Sequence, residues 1–330
     1  MNIHVSSSPR HLRLTQTMLE DFLWDPVLAA SVFWPDAELD VFQRVALKLM
    51  WLVPVTMDAS GVSTGKTFRN FLYAQLRAML VPNENSGHSV GVYFPVFGNG
   101  KASFWRYYSA SFVQTPLFRA QVGRFDQGTE TTKKGITSQP DCYYCYFKGG
   151  GSVALPAPSM DKDAATQKSR RFNTLILEEF TETDEKGNAI DEELLKRTTA
   201  ESWQSQHPVW QNHIKYSGHA ESSVHASYPR YAQLMREVRK GMPDRAHFAF
   251  SYKDYSDLPR KNGKTFQSLR EAAEGSLDLA ASTSSATKRL CGDFGIWARA
   301  GSAFYPPGVL EQAADLGRQM GLMPMLSASL

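Results

Sequence analysis

The stretch WLVPVTMDASGVSTGKT, from Trp51 to Thr67, limits the possible folds more than any other part of the chain. An apolar run of strand character leads into a Gly/Ser turn, and the following TFRNFLYAQLRAML repeats apolar side chains at helical spacing. Strand, glycine-containing turn and helix in this order are typical of a loop that binds nucleotide phosphates, because free N–H groups and the helix dipole favour anions. We therefore predict an α/β fold with a phosphate-binding loop.

This loop departs from the pattern G-x-x-x-x-G-K-[ST] at its first glycine, where the chain has Ser60. The residues expected to bind the nucleotide are Gly61, Ser63, Thr64, Gly65, Lys66 and Thr67. Lys66 is expected to reach the β and γ phosphate oxygens, and the hydroxyl of Thr67 to ligate Mg²⁺. Taken alone, the triplet Gly-Lys-Thr leaves an ordinary turn that opens a helix as the alternative.

Composition places the chain among intracellular globular proteins. The 330 residues, 42% of them apolar, suffice for one large α/β domain or two smaller ones. The longest apolar stretch, residues 46–57, is broken by Lys48 and Pro54 and is too short to span a bilayer, and the N-terminus lacks the apolar region of a secretory signal. Cys142 and Cys145 form a lone C-x-x-C, which predicts packed thiols rather than a zinc site.

A second motif, FNTLILEEF, lies about 110 residues after the phosphate loop. The residues from Thr174 to Leu177 predict a buried parallel strand, and such strands bind ligands at their carboxyl ends. Glu178 is then expected to hold Mg²⁺ through water, and Glu179 to orient and deprotonate the attacking water. The alternative is that the two acids only mark the start of a following helix. The presence of a phosphate loop upstream argues against this alternative.

Two flanking segments complete the predicted nucleotide site. Gln43, with Phe42 beside it, precedes the phosphate loop and is expected to bind adenine, although a surface glutamine is the alternative. The strand HIKYSGH ends in small polar residues, which can place a hydroxyl or an imidazole near the γ-phosphate and register its hydrolysis. The residues of this tip are Ser217, Gly218 and His219.

Other segments predict the elements around the site. CYYCYF and SVALPAP predict a hairpin, SVGVYFPVF a strand, GNGKASFWRYYSASF a helix, and SYPRYAQLMREVRKG a basic amphipathic helix. Residues 124–141 have the polar composition of a loop, in which Lys133 and Lys134 are candidates for phosphate-backbone contacts. The net charge of +3 is too small to indicate nucleic-acid binding by itself.

The order of these segments resembles the ATPase domain of the large terminase subunit, the genome-packaging motor of tailed bacteriophages and herpes-type viruses. The resemblance runs from DPVLAASVF through SGVSTGKT, SVGVYFPVF, GGGSVALPAPS, FNTLILEEF and KYSGHAESS to GSAFYP. It implies an additional-strand P-loop fold, with a mainly parallel central sheet flanked by helices and a small C-terminal lid. It also implies an ATP- and Mg²⁺-dependent motor in the host cytoplasm that moves double-stranded DNA.

The partners implied by the resemblance are the portal protein and a small terminase subunit. The active form is expected to be a homo-oligomeric ring, with a monomer possible in isolation, and no membrane is involved. The family generally carries a second, ribonuclease-H-like nuclease domain, and this sequence ends before one. Nuclease activity is therefore not expected from this chain, and the nuclease is expected on another chain or on a part that has been removed.

The resemblance also implies roles for individual residues, and some of these residues differ from those usual in the family. Lys66 and Thr67 take the phosphate-loop roles, Glu178 and Glu179 those of metal-binding acid and general base, and Gln43 the adenine role. Ser217 and Gly218 take the coupling role, with His219 in place of the usual Thr, and Glu178 replaces the usual Asp. Val62 stands where the family commonly has an arginine, so an arginine finger from a neighbouring subunit is expected. The finger candidates are Arg170, Arg171, Arg230 and Arg299.

Three segments are predicted from these patterns. They are an N-terminal helical arm with the adenine-side segment at residues 1–50, an ATPase core at 51–258 and a lid or linker region at 259–330. Two other functions stay open at this point. One is a helicase or another nucleic-acid remodelling ATPase on the same fold, and the other is a scaffold that binds nucleotide without hydrolysing it.

Overall fold

The computed structural model describes residues 16–157, 171–182, 209–251, 258, 291–292 and 295–298. Within these ranges it leaves out residues 38, 62–63, 83–86, 111, 127–128, 132–134, 140–141 and 222. Within the described part, no helix is both long and apolar enough to cross a membrane. Most of the predicted lid region lies outside the described residues, so the division at residues 50 and 258 stays a prediction.

The described chain opens with three helices, α1 (Gln16–Trp24), α2 (Pro26–Phe33) and α3 (Val41–Leu52). Asp25 caps α2 with its side chain, and α2 ends before Pro35. A capping box between Asp40 and Gln43 starts α3. Helix α3 continues through Trp51, so the prediction of strand character from Trp51 onward was wrong at its start. An apolar run does not distinguish a buried helix end from a strand.

The described part of the chain also forms ten strands. They are β1 (Val55–Asp58), β2 (Ser89–Tyr93), β3 (Arg124–Asp126), β4 (Thr129–Thr131), β5 (Ile136–Gln139), β6 (Cys142–Tyr146), β7 (Ser152–Pro156), β8 (Thr174–Leu177), β9 (His213–Ser217) and β10 (Arg245–Phe248). Eight of them build one sheet in the order β10-β1-β9-β8-β2-β7-β6-β5. Neighbours from β10 to β7 are parallel, and β5 and β6 add an antiparallel edge.

Strand β9 lies between β1, which leads into the phosphate loop, and β8, which leads to the two acids. This inserted strand is the additional strand that the resemblance implied, and the mainly parallel α/β architecture agrees with the predicted fold class. The β6–β7 hairpin was also predicted. Residues 124–141, predicted to be a loop, instead form β3, β4 and β5. Strand β5 forms an edge of the main sheet, and β3 and β4 pair in a separate two-stranded sheet. Strands in both places can have polar side chains that face water, so their polar composition concealed them.

Among the described residues, four further helices flank the sheet, namely α4 (Lys66–Leu80), α5 (Phe97–Ala110), α6 (Pro116–Gln121) and α7 (Tyr228–Arg239). A 3-10 turn, Phe112–Gln114, joins α5 to α6. Strand β2 is shorter than predicted, because the chain turns at Phe94 and Pro95 and enters α5 at Phe97. Helix α4 is buried along almost its whole length, so the helix that follows the phosphate loop is also the centre of the core.

Buried polar side chains fix α4 against the sheet at the end remote from the phosphate loop. Arg77 is fully buried and donates to the carbonyl oxygens of Val209 and Gln211, at 2.9 Å for Gln211. The Tyr73 hydroxyl lies 2.7 Å from Nδ1 of His213, which begins β9. Since buried polar groups are stable only when they are hydrogen-bonded, these contacts allow little freedom in how α4 lies against β9.

The buried His88 makes stability depend on pH. Its Nε2 lies 2.9 Å from Oγ1 of Thr174, and burial holds its pKa well below the ordinary 6.5. As pH falls, the His88 imidazole therefore becomes protonated in the unfolded chain at a higher pH than in the folded chain. The free energy of unfolding then decreases below about pH 6.5. We expect His88→Gln to remove a slope of up to about 1.4 kcal/mol per pH unit, measured by urea unfolding at several pH values from 5 to 8. The same pH dependence in both proteins would contradict this expectation.

Candidate nucleotide site

The first half of the phosphate loop is held by the edge strand. Beyond β1, the N–H of Ala59 donates to the carbonyl of Phe248 at 3.1 Å, and the N–H of Gly61 to that of Phe250 at 2.9 Å. The hydroxyl of Ser60 accepts from the N–H of Phe250 at 2.9 Å. Ser60 stands where the motif has glycine, and its side chain thus supplies a hydrogen bond that a glycine cannot make. The serine that replaces the first glycine of the motif therefore helps to attach the loop to the segment after β10.

The second half of the loop turns at Gly65, whose φ of 79° lies in the left-handed region that favours glycine. A Cβ at Gly65 would collide with Nε2 of Gln43. The side chain of Gln43 is buried, and its Oε1 accepts from the N–H of Asp40 at 3.2 Å. Phe42 lies with its ring centroid 5.0 Å from that of Phe250. Gln43 and Phe42 therefore border the phosphate loop, and their adenine-binding role stays a prediction.

Lys66 folds back over the loop that precedes it. Its Nζ donates to the carbonyl oxygens of Ser60 at 2.5 Å and Gly61 at 2.8 Å. Burial lowers its pKa from 10.5 to about 8, while the charges of Glu178 and Glu179 act in the opposite direction. An ammonium group with two neutral acceptors and little water is well placed to exchange a carbonyl for a phosphate oxygen.

A buried ion pair ties the end of β1 to the first turn of α4. Arg69 and Asp58 are both buried and in direct contact, and Oδ1 of Asp58 also accepts from the N–H of Ser60 at 2.9 Å. The guanidinium carbon of Arg69 lies 5.7 Å from the centroid of the Phe248 ring. This pair was not predicted, since a charged residue in a helix pattern is usually exposed. It holds both ends of the phosphate loop together.

Glu178 meets the phosphate-loop helix. The side chain is buried, its Oε1 accepts from Nδ2 of Asn70 at 2.7 Å, and its Oε2 lies 3.5 Å from Oγ1 of Thr67. Burial raises the pKa of Glu178 to about 7, against the lowering effect of the Asn70 hydrogen bond. The structure thus brings together Thr67 and Glu178, which are 111 residues apart in sequence.

Oxygen atoms at this place fit a magnesium ion. Oδ1 of Asn70 and Oγ of Ser217 are buried and have no hydrogen-bond partner among the residues that the structure describes. The Thr67 hydroxyl and the Glu178 carboxylate add the hard oxygen ligands that Mg²⁺ prefers. No group of three His, Cys, Asp or Glu side chains in the described part of the chain is arranged for a metal. Magnesium at this site would therefore take its other ligands from phosphate oxygens and water.

Glu179 has an unusual backbone. Its φ of 51° is the one positive value of a non-glycine residue in the described chain, a conformation that costs free energy for most side chains. Burial raises the pKa of its carboxyl, and a hydrogen bond from the side chain of Asn99, in α5, lowers it. Strained residues of this kind cluster at functional sites, so the geometry singles out Glu179 within the acidic pair. Asn99 was not predicted.

The tip of β9 lies between the other two strand ends. The N–H of Gly218 donates to the carbonyl of Asp58 at 3.1 Å, and the N–H of Phe180 to the carbonyl of Ser217 at 3.1 Å. Nε2 of His219 lies 2.8 Å from Oε1 of Glu221. The ends of β1, β9 and β8 are thus joined by backbone hydrogen bonds. The coupling role of Ser217, Gly218 and His219 stays a prediction.

The predicted finger arginines are only partly described, since Arg170, Arg299 and the loop residue Ser63 lie outside the described residues. Arg171 is exposed before the first residue of β8, at the sheet edge opposite the phosphate loop. Arg230 lies in α7, with its guanidinium carbon 4.8 Å from the centroid of the Tyr216 ring. Arg171 therefore lies away from the nucleotide site of its own chain, and the finger role of all four arginines stays a prediction.

Comparison with known proteins finds similarity in fold. No protein-family model matches the sequence, and no curated protein matches it. The large terminase of a thermophilic bacteriophage aligns at 11% identity and a TM-score of 0.49, over 79% of this chain and 54% of that one. The bacteriophage HK97 large terminase aligns at 12% identity and a TM-score of 0.48, over 79% and 51%.

The large terminase ATPase domain of Thermus phage P74-26 aligns at 12% identity and a TM-score of 0.45, over 87% of this chain and 100% of that domain. The chain thus spans about half the length of the two large terminases, from the thermophilic bacteriophage and from HK97. It spans the whole of the P74-26 ATPase domain.

The buried charges predict an optimum in nucleotide affinity. Below about pH 7, Glu178 gains a proton, and above about pH 8, Lys66 loses one, so affinity for MgATP should be highest between these values. Outside this window we expect a loss of up to about tenfold per pH unit, measured by isothermal titration calorimetry from pH 6 to 9.5. Lys66→Arg, which stays charged, should flatten the alkaline limb. An affinity that does not change with pH would refute the prediction.

The hydrogen bond from Asn70 to Glu178 leads to a second prediction, which concerns the pKa of Glu178. Asn70→Ala removes the hydrogen bond to the carboxylate, so the acidic limb of MgATP binding should move to higher pH. Gln75→Ala is the matched control, because Gln75 is a buried amide of the same helix that donates to Tyr108 instead. The same calorimetric series should show no such movement in this control. An equal movement in both variants would mean that the effect comes from packing of α4.

Proposed function

We propose that this chain is the ATP-hydrolysing motor domain of a viral genome-packaging terminase, which moves double-stranded DNA into a procapsid through a portal. One contact carries this proposal, namely the approach of the Thr67 hydroxyl to the Glu178 carboxylate at 3.5 Å. It joins the start of the phosphate-loop helix to the acidic strand end, and Lys66 lies one residue away. The order of motifs along the sequence supports packaging as the use of this hydrolysis.

The proposed roles follow from the environment of each side chain. Lys66 would bind the β and γ phosphates, and backbone N–H groups of the loop between Gly61 and Lys66 would surround them. Thr67 and Glu178 would hold Mg²⁺, which when bound polarises the phosphates and offsets their charge. The buried Asn70 and Arg69 keep this region fixed, so little rearrangement is needed when nucleotide binds.

Glu179 is proposed as the general base. A carboxylate whose pKa is raised by burial accepts a proton from water more readily, and this suits a base that works near neutral pH. Because Glu179 has a left-handed backbone conformation, its side chain leaves the chain in a different direction from that of Glu178. Hydrolysis of ATP depends mainly on positioning and charge stabilisation, so removal of the base should affect turnover much more than binding.

The proposed partners are the portal protein, a small terminase subunit and further copies of this chain in a ring. Val62 takes the place of a loop arginine, so an arginine from a neighbouring copy is proposed to stabilise the transition state, worth about a thousandfold or more in rate.

Two substitutions test the proposal. Glu179→Gln should leave MgATP binding within about threefold of wild type and lower turnover by about 100-fold or more, since general bases contribute at least that much. Lys66→Ala should lose most of the binding. Glu20→Gln, which changes an exposed acid of α1, is the control and should keep wild-type turnover. Phosphate release and calorimetric binding, each with and without double-stranded DNA, provide the measurements.

The outcomes separate the alternatives. Full turnover in Glu179→Gln would remove the assignment of the base. Absence of phosphate release from the wild-type protein at saturating ATP and DNA, with binding intact, would favour a scaffold that only binds nucleotide. Separation of strands on a forked duplex would favour a helicase.

A further inference from the structure

The turn that carries Glu179 rests against the end of β9. We call residues 178–182, which follow β8, the acidic turn. The N–H of Glu182 donates to the carbonyl of Glu179 at 2.7 Å and closes this turn. The ring of Phe180 packs edge-on against that of Tyr216 in β9, with 5.7 Å between the centroids. Because the backbone of Glu179 is strained, contacts of this kind with the surrounding structure are needed to keep it in place.

Gly218 shows how closely the acidic turn approaches the tip of β9. A Cβ at Gly218 would lie 3.0 Å from the ring of Phe180 and 3.0 Å from Oγ1 of Thr181. Phe180 and Thr181 are both buried. The backbone of the tip is therefore in direct contact with the acidic turn, and the position of one depends on that of the other.

The imidazole of His219 extends this contact to side chains that are partly exposed. Its Nε2 lies 2.8 Å from Oε1 of Glu221 and 3.4 Å from Oε1 of Glu182. Since an ionised carboxylate can only accept hydrogen bonds, Nε2 is the nitrogen that carries the hydrogen. Glu221 belongs to the same segment as His219, whereas Glu182 is the last residue of the acidic turn. His219 thus connects two segments that are distant in sequence.

Glu182 and His219 lie close enough to Glu179 to act on its carboxyl group. The two largest effects on the pKa of Glu179 are burial, which raises it, and the hydrogen bond from α5, which lowers it. The next two are the charge of Glu182, which raises this pKa, and the charge of His219, which lowers it. A displacement of either side chain would therefore change the surroundings of the proposed base.

We infer that His219 is a positioning residue for the general base. Through Glu182 it holds the acidic turn against the tip of β9, and it thereby keeps the carboxylate of Glu179 directed at the attacking water. This role rests on the proposed hydrolysis of ATP, and it requires no contact between His219 and the nucleotide. The side chains of His219 and Glu182 are 26% and 49% exposed, and a bridge between partly exposed groups adds little to overall stability. Its loss should therefore appear in turnover rather than in unfolding.

Steady-state phosphate release tests this role. His219→Ala and Glu182→Ala should each lower kcat about fivefold and leave the KM for MgATP within about twofold of wild type. A fivefold loss corresponds to about 1 kcal/mol, the upper end for a partly exposed ion pair. The double variant should be no slower than either single variant, because both changes remove the same interaction. His219→Gln, whose amide keeps an N–H donor, should restore kcat to within about twofold of wild type.

His225→Ala is the matched control for the loss of an imidazole. His225 is a partly exposed histidine of the segment after the tip, and its Nδ1 lies 2.8 Å from Oγ of Ser227 instead of a carboxylate. This variant should keep wild-type kcat and KM. A loss equal to that of His219→Ala would mean that the effect comes from the packing of this segment, and it would overturn the inference.

Amide hydrogen exchange measures the same contact without nucleotide. The N–H of Phe180 is bonded to the carbonyl of Ser217, and NMR should show it exchanging about fivefold faster in His219→Ala and in Glu182→Ala. The reason is that the acidic turn would separate from the tip of β9 more often. His225→Ala should exchange at the wild-type rate. Because these substitutions leave Phe180 and its sequence neighbours unchanged, the rates can be compared directly.

The two measurements separate the possible outcomes. Wild-type kcat in His219→Ala would overturn the inference at any exchange rate, as would a double variant in which the two losses multiply. A lower kcat with unchanged exchange would also overturn it, since His219 would then act by another route. If the wild-type protein releases no phosphate, the proposed motor function fails, and with it the role of His219 in hydrolysis. Faster exchange of Phe180 in both single variants would even then show that the bridge holds the acidic turn.

Discussion

Removal of ionised groups from water is the constraint on which the rest of this structure depends. Lys66, Arg69, Asp58 and Glu178 are all buried or largely buried around the phosphate loop, where an isolated charge would be very costly. Each is retained by a specific partner: Arg69 by Asp58, Glu178 by Asn70, Lys66 by loop carbonyls. A site assembled in this way is already desolvated and oriented before a nucleotide arrives, which is the condition for strong electrostatic stabilisation.

The sheet explains why distant sequence motifs meet. Parallel strands end at one edge, so the loop after β1 and the acids after β8 are brought to the same side regardless of their separation in sequence. The strand between them, β9, contributes backbone hydrogen bonds to both neighbours beyond their last paired residues. A movement at the tip of β9 therefore cannot occur without affecting the phosphate loop or the acidic turn. At the other end of α4, Arg77 fixes the segment from which β9 begins.

Local patterns sufficed to predict part of this fold. The helical repeat after Thr67 and the apolar run before Glu178 depend on neighbouring residues only, and both elements appear where they were expected. The roles of Asn70 and Arg69 were missed, because polar residues on a helix usually face solvent. The role of Asn70 depends on its hydrogen bond to Glu178, which is distant in sequence. The strands between residues 124 and 139 were missed for the opposite reason, since edge strands need no apolar pattern.

The ladder between β1 and β10 continues past the last strand residue into the phosphate loop, through Gly61 and Phe250. Residues 245–250 are thus attached to β1 and the start of the loop by a row of evenly spaced parallel hydrogen bonds. A pull along the chain at this point loads those bonds together, in shear, instead of opening them one after another. A load applied to the chain at Phe250 would therefore reach the phosphate loop through the edge strand, without passing through the centre of the sheet.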